Sequence, residues 1–283
     1  MDNKQAVVIT GTSTGIGKAC ALYLDRIGYK VYAGVRNQVD GDNLKKEASE
    51  RLAPVILDVT DENSIIKAAG IIEKEAGDNL FGLINNAGIG RGGALEVTPV
   101  AEMRKLMEIN VIGLMAVTQA FIPMLRKSRG RIINIGSTSS MLAIPGASVY
   151  CASKFAVRAI TDSLRLELKP FDMKVVMVAP GAVESAIWEK GRAYKEEMRK
   201  TVQPEIAELY APLRKFGDKL NTELKKIPAD EVAKIVTDAL TSPKPKPYYL
   251  VGNDAKGAAK AARLPKRFLD WIIMKRIQKM GRG

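Results

Sequence analysis

Thr10-Gly11-Thr12-Ser13-Thr14-Gly15-Ile16-Gly17 follows directly on the apolar run that starts at Gln5, and its reading decides the fold. The run before it, Gln5-Ala-Val-Val-Ile-Thr10, is continuously apolar rather than alternating, which marks a strand covered on both faces. The glycines let the backbone turn tightly and come close to a phosphate. The helix expected over 15–27 offers free N–H groups and the positive end of its dipole. Strand, glycine-rich turn and helix in that order form a cradle for a pyrophosphate, whereas the same glycines out of context make an ordinary turn. Gly17-Lys18 does not complete a P-loop, because Ala19 stands where Ser or Thr is needed.

Working outward, apolar strand-like runs recur at 31–35, 55–57, 81–84, 131–135, 175–178 and 248–251. Helical patterns fall between them at 43–51, 62–75, 99–126 and 150–168. Gly113 and Pro123 interrupt the long stretch, so a kink is expected there. Alternating strands and helices predict an α/β fold: a Rossmann-type, doubly wound parallel sheet of about seven strands in a single domain. That domain is expected over 1–254, with a charged, helix-prone insertion at 184–228 as a substrate lid. A basic amphipathic tail follows at 255–283.

Composition excludes a good deal. The 283 residues contain no histidine, so no Ser-His-Asp triad, Cys-His pair or His-ligated zinc exists here, and no metal site is expected. Cys20 and Cys151 cannot build a disulfide framework and read as buried helical thiols. No apolar run approaches the ~20 residues of a membrane span and no signal-peptide core opens the chain, so a cytoplasmic protein is expected. The formal charge is +13, but from Lys256 onward nine basic residues face Asp270 alone, a net +8 of that total. The charge belongs to the tail, and with no aromatic interleaving or nucleic-acid module no nucleic-acid partner is expected.

Three further signals carry chemistry. Asn85-Asn86-Ala87-Gly88 lies just past the strand at 81–84, where ligands bind in sheets of this kind. Tyr150 and Lys154 stand four apart on one helix face. A phenol with a pKa near ~10 is a poor acid–base at neutral pH, and a nearby ammonium lowers that value. Ser137, beyond the strand 131–135, is placed to hold a substrate oxygen beside Tyr150.

With these pieces in order, the chain resembles the short-chain dehydrogenase/reductase family over about 5–251. The matching motifs are Thr10-Gly-x-x-x-Gly15-Ile-Gly17, Asp58-Val59, Asn85-Asn-Ala-Gly88, Asn110-Val-x-Gly113, Ser137, Tyr150-x-x-x-Lys154 and Pro180-Gly181. The resemblance implies a catalytic tetrad of Asn110, Ser137, Tyr150 and Lys154. In it Tyr150 moves the proton, Ser137 holds the substrate oxygen, Lys154 tunes Tyr150 and holds the nicotinamide ribose, and Asn110 positions a water. It implies cofactor contacts from Gly11, Ser13, Thr14, Gly15, Ile16 and Gly17. Asp58 and Val59 would face the adenine, Asn85, Ala87 and Gly88 the ribose side, and Pro180, Gly181, Val183 and Ser185 the nicotinamide. Ser185 stands where the family often has Thr.

Val35 occupies the place of the acid that binds the ribose hydroxyl in NAD-binding sheets, and Arg36 follows it. A guanidinium there pairs with a 2′-phosphate, so NADP(H) is the expected cofactor. Val31-Tyr-Ala-Gly-Val-Arg36 and Tyr150-Cys-Ala-Ser-Lys-Phe155 resemble the hydroxysteroid and retinol dehydrogenase branch. They imply a hydrophobic alcohol or ketone as substrate, with a steroid, retinoid or lipid as candidates. Met141, Ile187 and Trp188 are candidate substrate contacts beside Ser137 and Tyr150. The alternative is a non-catalytic NADP(H)-binding regulator of the same fold. A homodimer or homotetramer is expected through the two long helices, with Met103, Met107, Phe155, Ile160 and Leu164 on candidate outward faces. The tail, with Leu264, Phe268, Trp271, Ile272 and Met274 among its basic residues, is expected to touch a membrane surface or a partner.

Overall fold

The computed structural model describes residues 5–185 and 187–281. Seven strands form one parallel sheet: β1 (Ala6–Ile9), β2 (Lys30–Val35), β3 (Leu52–Ile56), β4 (Leu80–Asn85), β5 (Arg131–Ile135), β6 (Lys174–Pro180) and β7 (Tyr248–Val251). Their order across the sheet is β3-β2-β1-β4-β5-β6-β7. The chain reverses direction between β1 and β4, and such a switch point opens a crevice at the carboxyl ends of the strands.

The continuous apolar runs serve both faces at once, because successive side chains on a strand point to opposite sides. Val7 and Ile9 pack with α1 (Gly15–Arg26) and α10 (Ala229–Thr241), through Leu24, Val232, Val236 and Leu240. Ala6 and Val8 pack the other way, against Ile65 and Ile72 of α3 (Glu62–Ala76) and Val117 and Phe121 of α5 (Gly113–Lys127). Cys20 in α1 and Cys151 in α6 (Ser148–Glu167) are both buried and unpaired. Burial pushes the Cys20 thiol up to about 12, which makes it unreactive.

Three expectations need correction. The second helix starts earlier than 43–51: α2 spans Gln38–Lys45, because the Asn37 side chain accepts the Asp40 N–H at 2.9 Å and caps it there. The chain after Lys45 is instead held by its Nζ, which donates to the carbonyl of Leu52 at 2.9 Å. The long helix does not simply kink at a glycine or proline. α4 (Val100–Met107) passes into α5 through a π-helical turn, Glu108–Ile112, with Asn110 at its middle. The whole stretch of 28 residues is long and apolar enough to cross a bilayer, yet Leu106, Val117, Phe121 and Leu125 are buried in the protein core. Of the candidate outward side chains, Ile160 and Leu164 pack onto the core, while Phe155 is exposed.

The insertion folds as α7 (Ile187–Arg199), α8 (Pro204–Leu209) and α9 (Ala211–Glu223). The tail is ordered helix as well: α11 (Asn253–Ala261) crosses position 254/255, and α12 (Lys266–Gly281) packs on α9.

Candidate active site

The crevice is built first from backbone contacts at the switch point. The Thr10 hydroxyl accepts the N–H groups of Asn86 at 3.0 Å and Ala87 at 2.9 Å, tying the end of β1 to the segment after β4. The Asn86 amide donates to the carbonyls of Thr10 at 2.9 Å and Gly11 at 3.0 Å. Thr12 is buried and donates its hydroxyl to the Gly34 carbonyl at 3.0 Å, tying the turn to β2. Thr10, Thr12 and Asn86 are thus the braces of the cradle, and none is among the residues expected to touch the cofactor.

The glycines are required by space and by backbone conformation. Gly11 has φ +69°, and a Cβ on it would lie 2.9 Å from the Ala87 Cα. A Cβ on Gly17 would lie 2.2 Å from the Gly11 carbonyl oxygen. The turn therefore folds onto itself with no side chain inside. Thr14 stands at the N-cap of α1 without capping it, and no acid lies in the first turn. This leaves the first N–H groups of α1 and its dipole facing the crevice, suited to a phosphate. Ser13 is half-buried and Thr14 exposed at this rim, while Ile16 packs partly into the core.

At the end of β2, Val35 is buried and Arg36 is exposed, with no ion pair among the described residues. The Asp58 carboxylate accepts from the N–H and hydroxyl of Thr60, at 2.9 and 2.8 Å. Val59 is buried beneath it, so close to α5 that a Cβ on Gly113 would come within 2.6 Å of its carbonyl oxygen.

Asn85 is corrected. Its amide donates to Thr118 Oγ1 at 2.8 Å and to Asn134 Oδ1 at 2.9 Å, and Asn134 in turn donates to Thr161 Oγ1 at 2.9 Å. The side chain is thereby turned into the α5–α6 layer and away from the crevice. It cross-links β4 and β5 and reaches α5 through Thr118.

At the centre, Ser137, Tyr150 and Lys154 converge. Ser137 follows β5 and caps a short 3₁₀ turn, Thr138–Ser140, its oxygen accepting the Ser139 N–H at 3.1 Å. That turn orients the hydroxyl, which lies 3.4 Å from the Thr138 hydroxyl and is near enough to the Tyr150 phenol to act against its raised pKa. Lys154, one helical turn on in α6, is buried; its Nζ donates to the Ile135 carbonyl at 2.9 Å and lies 6.0 Å from the centre of the Tyr150 ring. Burial brings the ammonium down to about 8. Burial also raises the Tyr150 phenol above its ordinary value, opposed by the Ser137 hydroxyl. The Lys154 ammonium is held by the Ile135 carbonyl and is not among the groups that shift the Tyr150 phenol, whose direction follows burial.

Asn110 is brought close, with a different employment of its side chain. It accepts the Ile89 N–H at 2.8 Å and donates to the Ile89 carbonyl at 3.0 Å and the Ser153 hydroxyl at 3.1 Å. It fastens the segment after Gly88 to α6, one residue from Lys154. A Cβ on Gly88 would sit 3.2 Å from Asn110 Oδ1, which sets how closely that segment runs.

The loop after β6 carries Pro180, Gly181, Val183 and Ser185, and a residue that the sequence did not flag holds it. The Asp254 carboxylate accepts the N–H of Ala182 at 2.7 Å and of Ala255 at 2.9 Å. It presses so close that a Cβ on Gly181 would collide with it. Val183 bridges to Ile227, closing the base of the insertion, and the Ser185 hydroxyl donates weakly to the Val183 carbonyl at 3.4 Å. Met141, a candidate substrate contact, is partly buried and packs against the cluster of Leu114, Val157, Met177 and Ala179. The side chains of Ile187 and Trp188 lie outside the described residues.

The insertion lies over the loop before α4. Arg91 stacks on the Tyr194 ring at 4.4 Å, and the Tyr210 hydroxyl donates to Glu96 at 2.7 Å. Phe216 is buried, whereas Leu209 is exposed. A groove of about 460 Å³ remains between the two, lined by Val97, Pro99, Met198, Val202 and Ile206 among others.

This fold and this constellation agree with the comparisons with known proteins. The family model described as short chain dehydrogenase matches residues 5–196. A 17-beta-hydroxysteroid dehydrogenase type 6 from Bos taurus is 36% identical over 278 residues, 94% of this chain and 87% of that one. An NADPH-dependent 3-dehydrocapnine reductase from Ornithobacterium rhinotracheale is 34% identical, over 96% of this chain and 97% of that one. A short chain dehydrogenase from Burkholderia cenocepacia J2315, solved in complex with NADP, superposes with a TM-score of 0.73 at 26% identity, covering 96% and 99%. The chain belongs to the short chain dehydrogenase family, in its hydroxysteroid and retinol dehydrogenase-like branch, and is an oxidoreductase.

Proposed function

We propose that the protein interconverts a hydrophobic alcohol and its ketone or aldehyde with NADP(H), Tyr150 being the general acid and base. The observation that carries this is the gathering of buried Ser137, partly buried Tyr150 and buried Lys154 at the carboxyl end of β5, with only β4 between β5 and the strand that carries the glycine cradle. The cofactor supplies or accepts the hydride. The side-chain-free turn at Gly11–Gly17 and the uncapped N-terminus of α1 suit its pyrophosphate, and the unpaired Arg36 suits a 2′-phosphate. Thr14, Gly15 and Ile16 lie at this phosphate end, and Asp58 and Val59 bound the adenine end. Ala87 and Gly88 approach the ribose through their backbone, and Pro180, Gly181, Val183 and Ser185 flank the nicotinamide.

Ser137 and Tyr150 hold one substrate oxygen between two hydroxyls. The phenol, kept protonated by burial, donates its proton to that oxygen as a carbonyl becomes an alcohol. In oxidation the same oxygen takes the alcohol proton, and Ser137 stabilises the phenolate that this requires. Lys154 is placed to leave Ile135 for the cofactor ribose and to bring its charge near Tyr150. Asn110 keeps the π turn, the Gly88–Ile89 segment and α6 in one register. Residues 184–228 act as the lid over the substrate, meeting the loop before α4 through the Arg91–Tyr194 and Glu96–Tyr210 contacts. Ile187 and Trp188 are its proposed substrate contacts. Exposed Ile112, Met115, Phe155 and Leu166 on α5, α6 and the π turn suit a homodimer or homotetramer.

Tyr150→Phe tests the catalytic reading. It should lower turnover of hydrophobic ketones about 10²–10⁴-fold while leaving NADPH binding within about twofold. A rate near that of the wild type would remove Tyr150 from the chemistry.

A further inference from the structure

The tail helix α12 has two faces with different employment. Its inner face is seated on α9: Leu269 and Ile277 are buried there, and Arg276 pairs with Glu223 at 3.2 Å. This separates the apolar residues that the sequence placed together. On the outer face Phe268 and Trp271 are 49% and 56% exposed, their rings stacked at 6.0 Å with an interplanar angle of 17°. Lys275 lies over the Trp271 ring at 4.8 Å, and Lys266, Arg267, Met274 and Lys279 are exposed around the pair. Large aromatic rings left out of a core at this density, one helical turn apart, have no reason in the fold of the chain itself.

We infer that the outer face of α12 docks onto a membrane surface carrying anionic lipid, with Phe268 and Trp271 entering the headgroup layer. The choice of occupant follows from charge and shape. The chain from Lys256 onward carries +8, so the matching surface is negative and extended. The face mixes aromatic and basic side chains instead of dividing them. A headgroup layer accepts this mixture, because rings settle at its depth while lysine and arginine stems reach out to phosphates. A protein partner would need a groove or an anchoring pocket opposite, and this single helix face is convex and mixed. Because the inner face of α12 rests on α9, docking would place the lid at the lipid surface, where a hydrophobic alcohol or ketone partitions. This consequence rests on reading 184–228 as the lid.

Sedimentation of the full chain with phosphatidylcholine vesicles, with and without phosphatidylserine, tests the docking. Binding is expected only with phosphatidylserine and should weaken as salt rises. Phe268→Ala with Trp271→Ala should weaken it on the order of tenfold or more, and Lys275→Glu with Lys279→Glu likewise. Thermal melting and NADPH binding of these exposed-site variants should match the wild type. Failure to pellet at low salt, or binding unaffected by either double substitution, overturns the inference. It also falls if the aromatic variant instead changes the oligomeric state seen in sedimentation velocity, which would make this face a contact between copies. KM for a bulky ketone, measured with and without the anionic vesicles, separates the two readings. Docking with an unchanged KM leaves the membrane face standing and removes the lid's part in it.

Discussion

Lys154 donates from its buried Nζ to the backbone carbonyl of Ile135 at 2.9 Å, so the ammonium of the site is held by the last residue of β5. Helix α6 is thereby pinned to the strand that leads into Ser137. The same bond shows what the site costs the fold: an ammonium is kept where little water reaches it.

Replacing Lys154 by Met should therefore stabilise the protein while it abolishes activity. The buried ammonium titrates at about 8, against 10.5 for an ordinary lysine. Between those values the unfolded chain binds the proton and the folded one does not, so stability rises with pH across that window. Below it the folded protein bears the full cost, up to about 3 kcal/mol at ~1.4 kcal/mol per pH unit. Loss of the bond to Ile135 offsets about 1 kcal/mol of the gain. Thermal melts should show Lys154→Met above the wild type at pH 7, with the gap closing as pH rises towards 10.5. A variant less stable than the wild type at pH 7 would contradict the burial argument.

The raised Tyr150 phenol gives the two reaction directions opposite pH dependences. Carbonyl reduction needs the protonated phenol, so its kcat/KM should hold steady through neutral pH and fall on the alkaline side. Alcohol oxidation should climb with pH as the phenolate forms. Ser137→Ala removes the hydroxyl that favours the phenolate, and should displace both profiles to higher pH. Profiles that superpose for the two directions would show that another group carries the proton.

Arg36 sits exposed and unpaired at the end of β2, free to meet an anion. Arg36→Ala should weaken NADPH on the order of tenfold to a hundredfold, as expected for a charge-assisted bidentate pair, and leave NADH nearly unchanged. Equal affinity of the wild type for both cofactors would assign Arg36 to the surface.

Asp254 should matter although it touches no reacting atom. Its carboxylate satisfies the N–H groups of Ala182 and Ala255. Asp254→Ala leaves both without a partner and opens space beside Gly181, for a loss of about 1–3 kcal/mol. The loop from Pro180 to Ser185 then loosens, so KM for NADPH should rise more than kcat falls. Asp254→Asn keeps one acceptor and should recover part of the loss. A fall in kcat with KM unchanged would place Asp254 in the chemistry instead.

Much of this molecule was determined by local sequence alone. The bounds of β5 and β7, the start of α1 after the glycine turn, and the Tyr150–Lys154 pair follow from short-range rules. Apolar runs become covered strands, glycines permit the turn, and residues four apart share a helix face. Those rules do not reach what depends on residues far apart in the chain. Asn85 reads as a crevice residue, but Thr118 and Asn134 lie across the sheet and draw its amide inward. Asp254 carries no motif and acquires its place only because β7 lies beside β6 and brings it against Gly181. The tail shows the same division. Its composition specified a basic helix with apolar residues, while the presence of α9 decided that Leu269 and Ile277 turn inward and Phe268 and Trp271 face out. The direction of the Tyr150 titration was likewise settled by burial, a property of the packed layers that no spacing of residues records.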